Sequence, residues 1–227
     1  MESDGHRDLV VIGASAGGVE VLTCVVKGLP ADLRAAVCIV LHIAPASPSM
    51  LPHILNRAGP LPCRAAKDGE RLRQGLILAA PPDQHLEIER GRVRLTAGPR
   101  ENGHRPAIDV LFRSAAAALE RRVVGVVLSG TRDDGSAGLA AIKASGGAAI
   151  VQDPKEAMYA GMPASAIARV AVDAIVPSEL VAGTIAAMVK GEDPPPAGSS
   201  EDPNPDALHG ERAHGVGRDP GGAPRPC

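Results

Sequence analysis

The chain has almost no aromatic residues: no tryptophan, one phenylalanine and one tyrosine. Its interior must therefore be built from Ala, Val, Leu and Ile. It also lacks a charge excess of either sign. With a formal net charge of −2 over 227 residues, nothing electrostatic favours a nucleic-acid partner, and no Lys/Arg block marks a membrane surface. No apolar run approaches the roughly 18 residues that span a bilayer. The first residues (Glu2, Asp4, His6, Arg7, Asp8) are polar, unlike a secretory leader. The four cysteines, Cys24, Cys38, Cys63 and Cys227, form no CxxC pair and have no histidines at zinc-ligand spacing. They read as reduced structural thiols of a cytoplasmic protein.

What the chain does have is a regular alternation of apolar runs and helical patterns. Residues 9–12 and 37–43 are continuous apolar segments, separated by a helical stretch over 18–28 that Gly28 and Pro30 end. This is a βαβ unit of a parallel sheet. A short helix over 48–57, a segment near 64–66 and a strand over 76–80 follow. Residues 86–90 and 92–96 alternate apolar with polar around Gly91 and predict a β-hairpin. Beyond it come a helix over 107–120, a strand over 123–128, a helix over 136–144 and a strand over 148–151. A helix over 163–169, a short strand near 172–176 and a helix over 178–190 complete the pattern. The fold class is α/β: a doubly wound, mostly parallel sheet with helices on both faces and one β-hairpin. The domain is expected to end at residue 191. From 192 to 227, Pro, Gly, Ser, Asp and Glu dominate, a composition that buries too little surface to order itself.

The chemistry concentrates where strands end. Gly13-Ala14-Ser15-Ala16-Gly17-Gly18 fits two templates. As a dinucleotide fingerprint it carries a side chain, Ser15, where the middle glycine should admit a pyrophosphate. The acidic residue that should close the second strand is also missing, and His42 stands there instead. As Gly-x-Ser-x-Gly it is a nucleophile turn. Ligand sites of parallel sheets gather at the carboxyl ends of strands. Ser15, His42 and Asp133 or Asp134 all fall at such ends, so a nucleophile, a base and an orienting acid are available. Each has a plainer role when taken alone: Ser15 and the aspartates as helix caps, His42 as a core histidine.

Several segments together resemble the catalytic domain of the CheB protein-glutamate methylesterases, over roughly residues 8–190. They are the Gly13–Gly18 turn, Leu41-His42-Ile43 before Pro45, and Ala80-Pro81-Pro82-Asp83-Gln84-His85-Leu86. His104-Arg105-Pro106-Ala107-Ile108-Asp109-Val110-Leu111-Phe112, Leu128-Ser129-Gly130-Thr131-Arg132-Asp133-Asp134-Gly135 and Gly161-Met162-Pro163 complete the set. The resemblance implies Ser15 as nucleophile, His42 as base and Asp134, the residue before the glycine, as the acid. It implies an oxyanion site made by the Ala16 N–H and the helix start beyond Gly17, with Thr131 in the neighbouring loop. His85 and Arg105 become candidates for substrate or loop contacts. The implied reaction is hydrolysis of glutamate γ-methyl esters on cytoplasmic chemoreceptor helices, with glutamine deamidation by the same route and no cofactor or metal. Ala16 stands where the family often has Thr, Thr131-Arg132 where it often has Met-Gly, and Ala107 where Ser is usual. Only a few residues precede the first strand, so the receiver domain common in chemotaxis members is not expected, and a separate receiver protein becomes a candidate partner. These departures motivate a competing reading, a catalytically weak homologue that serves as a binding or scaffold module.

Overall fold

The computed structural model describes residues 6–42 and 49–192. The expected tail and the Ile43 and Pro45 of the histidine motif lie outside them, apart from Glu192. Strand β1 (Leu9–Ala14) is followed by helix α1 (Gly18–Gly28), β2 (Ala36–Leu41), α2 (Leu51–Ala58), β3 (Cys63–Ala65) and β4 (Ile77–Ala79). The antiparallel hairpin β5 (His85–Glu89) and β6 (Arg92–Thr96) comes next. The second half runs α3 (Ile108–Leu119), β7 (Val123–Val127), α4 (Ser136–Ala144), β8 (Ala148–Gln152), α5 (Gly161–Arg169), β9 (Ala174–Val176) and α6 (Ser178–Lys190).

Seven strands form one sheet in the order β3-β4-β2-β1-β7-β8-β9, and every neighbouring pair is parallel. Both faces of such a sheet are covered, which is why β1, β2, β7 and β8 are buried at every position and apolar throughout except for Gln152 at the end of β8. Alternate side chains of β1 enter different cores. Val10, Ile12 and Ala14 join α1, α2 and α6, whereas Leu9 and Val11 join α3, α4, α5 and the hairpin. The single phenylalanine, Phe112, is fully buried in the second core. The hairpin turns through Arg90 (φ 50°) and Gly91 (φ 72°), the pair of left-handed residues that a two-residue turn needs to match strand twist.

Most boundaries shift by one to three residues from the sequence pattern, and two shifts are instructive. Helix α5 starts at Gly161 rather than Pro163, because a proline in the first helical turn sacrifices no intrahelical hydrogen bond. The last strand is confined to Ala174–Val176.

The topology fixes where a site can form. From β1 the chain moves outward through β2 on one side, and it later returns to the opposite flank of β1 as β7. The carboxyl ends of β2, β1 and β7 thus stand side by side at the point where the winding reverses, the crevice where open α/β sheets bind ligands.

Candidate functional site

Ser15 leaves the end of β1 in a turn clamped from β7. Its N–H donates to Ser129 O at 2.9 Å, and Ser129 Oγ donates to Ala16 O at 2.9 Å. Ser129 is itself held from behind. It accepts the Tyr159 N–H at 3.0 Å, and its own N–H reaches the buried Gln152 Oε1 at 2.8 Å. Gln152 in turn donates to Glu156. Gly17 (φ 69°) is the N-cap of α1, and a Cβ there would stand 3.1 Å from both Ser129 Oγ and Met158. Glycine meets both demands at once. The N–H groups of Ala16 and Gly17 have no acceptor among the described residues, so the start of α1 presents free donors beside the serine hydroxyl.

His42 follows β2 directly, with its N–H bonded to Ala14 O at 3.1 Å. The ring lies between the other two residues: Nδ1 is 3.1 Å from Ser15 Oγ and Nε2 is 2.8 Å from Asp134 Oδ2. The His42 side chain is 6% exposed and that of Asp134 2%. A buried carboxylate fixes the tautomer: Nε2 carries the hydrogen and donates to Asp134, which leaves the Nδ1 lone pair toward the serine.

Asp134 is surrounded by donors. Its Oδ2 accepts the Ile108 N–H at 2.8 Å as well as His42, and its Oδ1 accepts the Asp109 N–H at 3.0 Å and Asn102 Nδ2 at 2.8 Å. The two backbone groups open α3, whose N-cap, Ala107, offers no side-chain bond. Asp134 therefore supplies the cap from another loop and sits on the positive end of the helix dipole. Burial alone would push its carboxyl up, but His42, the two N–H groups and Asn102 outweigh that and hold it down at about 2. Asp109 goes the other way. Burial raises it and the Asp134 charge adds to this, against the Gly138 N–H and Asn102.

Close packing places α3 there. A Cβ on Gly13 would come within 2.3 Å of Ile108 Cγ2, and one on Gly135 within 2.9 Å of the same atom. Only glycine at these positions lets the start of α3 touch both the end of β1 and the start of α4. On the other side of the serine, a Cβ on Gly130 would collide with Met162 Sδ at 2.1 Å and Ser15 Cβ at 2.9 Å.

The other expected residues divide. Thr131 is exposed in the loop beside Gly130, and Arg132 adopts φ 65°, a left-handed conformation that glycine adopts freely and that a larger side chain adopts at a cost. Asp133 points away and pairs with Arg169 at 3.1 Å. His85 is 3% exposed with both nitrogens engaged: Nδ1 accepts the Ala107 N–H and Nε2 donates to Pro99 O. Arg105 binds Asp83 and the carbonyls of Ala97 and Gly98. Both residues hold the segment between the hairpin and α3, and neither is brought to the Ser15–His42 pair. Three residues at the site have no role assigned from the sequence: Asp109 and His104, which lie in one of the resembling motifs, and Asn102, which lies outside them all; the His104 ring stacks on His42.

Among the described residues, no group of three or more His, Cys, Asp and Glu is placed to hold a metal ion. None of the described helices is long and apolar enough to cross a membrane.

Comparison with known proteins agrees with this architecture. The family model for the CheB methylesterase matches residues 10–185. A Leptospira interrogans relative is 38% identical over 178 residues, which are 78% of this chain and 92% of that protein. A Burkholderia lata protein named protein-glutamate methylesterase/protein-glutamine glutaminase 1 is 38% identical over 187 residues, 82% of this chain and 56% of the relative. The chain thus spans nearly all of the first and little more than half of the second. The crystal structure of the Thermotoga maritima CheB methylesterase catalytic domain superposes with a TM-score of 0.77 at 30% identity, covering 81% of this chain and 99% of that one. With more than two thirds of its length matched in sequence and fold, the chain belongs to the CheB methylesterase family.

Proposed function

We propose that the protein is a serine hydrolase that removes methyl groups from glutamate γ-methyl esters on the cytoplasmic helices of chemoreceptors. The observation that carries this reading is the His42 ring, bonded on one nitrogen to the Ser15 hydroxyl and on the other to Asp134. The names of its relatives support the same substrate class.

The steps follow from the atoms present. Ser15 Oγ forms a bond to the ester carbonyl carbon as its proton moves to His42 Nδ1. Asp134 keeps Nε2–H bonded and balances the imidazolium that results. The carbonyl oxygen becomes an oxyanion beside the Ala16 and Gly17 N–H groups, donors that need no side chain. The tetrahedral intermediate collapses, the C–OCH₃ bond breaks, and the Nδ1 proton leaves with methanol. Water then adds to the acyl carbon as one of its protons moves to Nδ1; this second intermediate collapses, the C–Oγ bond breaks, and the Nδ1 proton returns to Ser15 Oγ as the glutamate side chain is freed. A glutamine amide enters the same sequence, with ammonia in place of methanol. Each oxyanion donor in such a site is worth about 3 kcal/mol, roughly a hundredfold in rate.

The test is a serine-directed fluorophosphonate. The reading predicts an adduct on the peptide containing Ser15 and parallel loss of methanol release from membranes bearing methylated receptor. An intact Ser15 after saturating treatment, with methanol release unchanged, contradicts it and leaves the scaffold reading.

A further inference from the structure

The face of His42 is covered by a second imidazole that the hydrolytic steps above do not use. The His104 ring lies parallel to it, with centroids 3.6 Å apart and planes inclined by 6°. His104 is fixed by its backbone, which exchanges two hydrogen bonds with Glu101 at 2.8 and 3.0 Å. We propose that His104 is a positioning residue: its neutral face holds the His42 ring in line with Ser15 and Asp134 and stabilises the imidazolium that forms during proton transfer, and protonation of His104 removes that help.

The chemistry is directional. Before proton transfer the stack only orients His42. When the Ser15 proton arrives on Nδ1, a cation appears within 3.6 Å of a π-face, which attracts it. The attraction is stronger in the transition state than in the ground state and so lowers the barrier. A protonated His104 would instead place a like charge against it.

The surroundings keep His104 neutral. Burial disfavours its charged form, and His42 acts in the same direction. From the loop after β7, Arg132 adds positive charge and Asp134 opposes it; from the segment after β6, Arg100 adds positive charge. The nearby Glu101 is tied to Arg113. Arg132 lies close: its guanidinium is 3.9 Å from where a Cβ of Gly103 would stand. Arg132 thus adds to burial and His42 in keeping the stacked ring uncharged.

The inference rests on the hydrolase reading, and its test separates the two. The full chain, H104A, H104F and R132G are compared in methanol release from methylated receptor membranes across pH, with S15A as control. H104A is expected to lose about tenfold in kcat with little change in KM, and H104F to recover most of it because the neutral aromatic face returns. The acid limb of the wild type should steepen beyond a single proton at its low end, whereas that of H104F should keep a one-proton slope. R132G should shift the second break to higher pH, since removing a neighbouring cation makes His104 easier to protonate. Unchanged kcat in H104A, or identical acid limbs for wild type and H104F, overturns the inference alone. Turnover that does not depend on Ser15 overturns the hydrolase reading and the inference with it.

Discussion

Asp134 and Asp109 cap each other's helices. Asp134 Oδ1 accepts the Asp109 N–H at the start of α3, and Asp109 Oδ1 accepts the N–H groups of Gly135 and Gly138 at the start of α4, at 3.0 and 2.6 Å. Asn102 closes the arrangement by giving one amide hydrogen to each carboxylate, both at 2.8 Å. The carboxylate bonded to His42 is thus part of the joint between two helices, so the proposed mechanism couples catalysis to stability at this point.

The two aspartates of the β7–α4 loop should behave oppositely on substitution. Asp134→Asn retains the shape but loses the charge that balances the imidazolium and turns a donor toward His42. A loss of about 10⁴ in kcat is expected by analogy with other triads. Asp133→Asn breaks only an exposed ion pair with Arg169 and should cost less than about 1 kcal/mol in stability, with activity kept. Steady-state methanol release and a urea melt of each variant check both.

Much of this was legible in the sequence, for physical reasons. The central strands are buried on both faces and so read as unbroken apolar runs, and Ser15 and His42 stand where those runs stop. The choice between Asp133 and Asp134 was not available from the residues alone, since it depends on which carboxylate turns toward the start of α3. Asn102, Asp109 and His104 were not visible either. They lie on or before α3, and only the close approach permitted by Gly13 and Gly135 brings them to the strand ends. His85 and Arg105 look like binding groups in a linear reading, but folding turns them to backbone carbonyls and Asp83.

Asn102→Ala leaves two neighbouring buried carboxylates without their shared donor. Loss of a bond to a charged group costs about 1.5–3 kcal/mol, and Asn102 also tolerates its φ of 53° better than alanine does. A fall in stability of at least about 2 kcal/mol in denaturant unfolding is expected, together with reduced turnover. Unchanged stability would show that the carboxylates do not need the bridge.

Acid should weaken the fold through Asp134. Its carboxyl is held at about 2 in the folded state against an ordinary value near 3.9. The native state therefore binds this proton less tightly than the unfolded chain. The stabilisation is fully present above pH ~4 and is lost as the pH falls through ~2, worth about 2–3 kcal/mol. Asp109, raised by burial, contributes with the opposite sign. The stability gap between wild type and Asp134→Asn should shrink as urea melts are carried from pH 6 toward pH 2. A gap that stays constant refutes the assignment.

Gly13→Ala should be far worse than an ordinary glycine change. Its Cβ meets Ile108 at 2.3 Å, whereas a Cβ on Gly183 in α6 meets nothing. Gly13→Ala is expected to cost about 1–3 kcal/mol through overpacking and to reduce activity by moving the N–H groups that hold Asp134. Gly183→Ala should raise stability by about 0.5–1 kcal/mol. Thermal melts and methanol release on both variants give the comparison.

The measurement closest to the central claim is methanol release from methylated receptor membranes by the wild-type protein and by Ser15→Ala, with circular dichroism on both. If Ser15 is the nucleophile, the wild type releases methanol and the variant, equally folded, falls by at least about 10⁴-fold. Equal release by the two proteins would contradict the account.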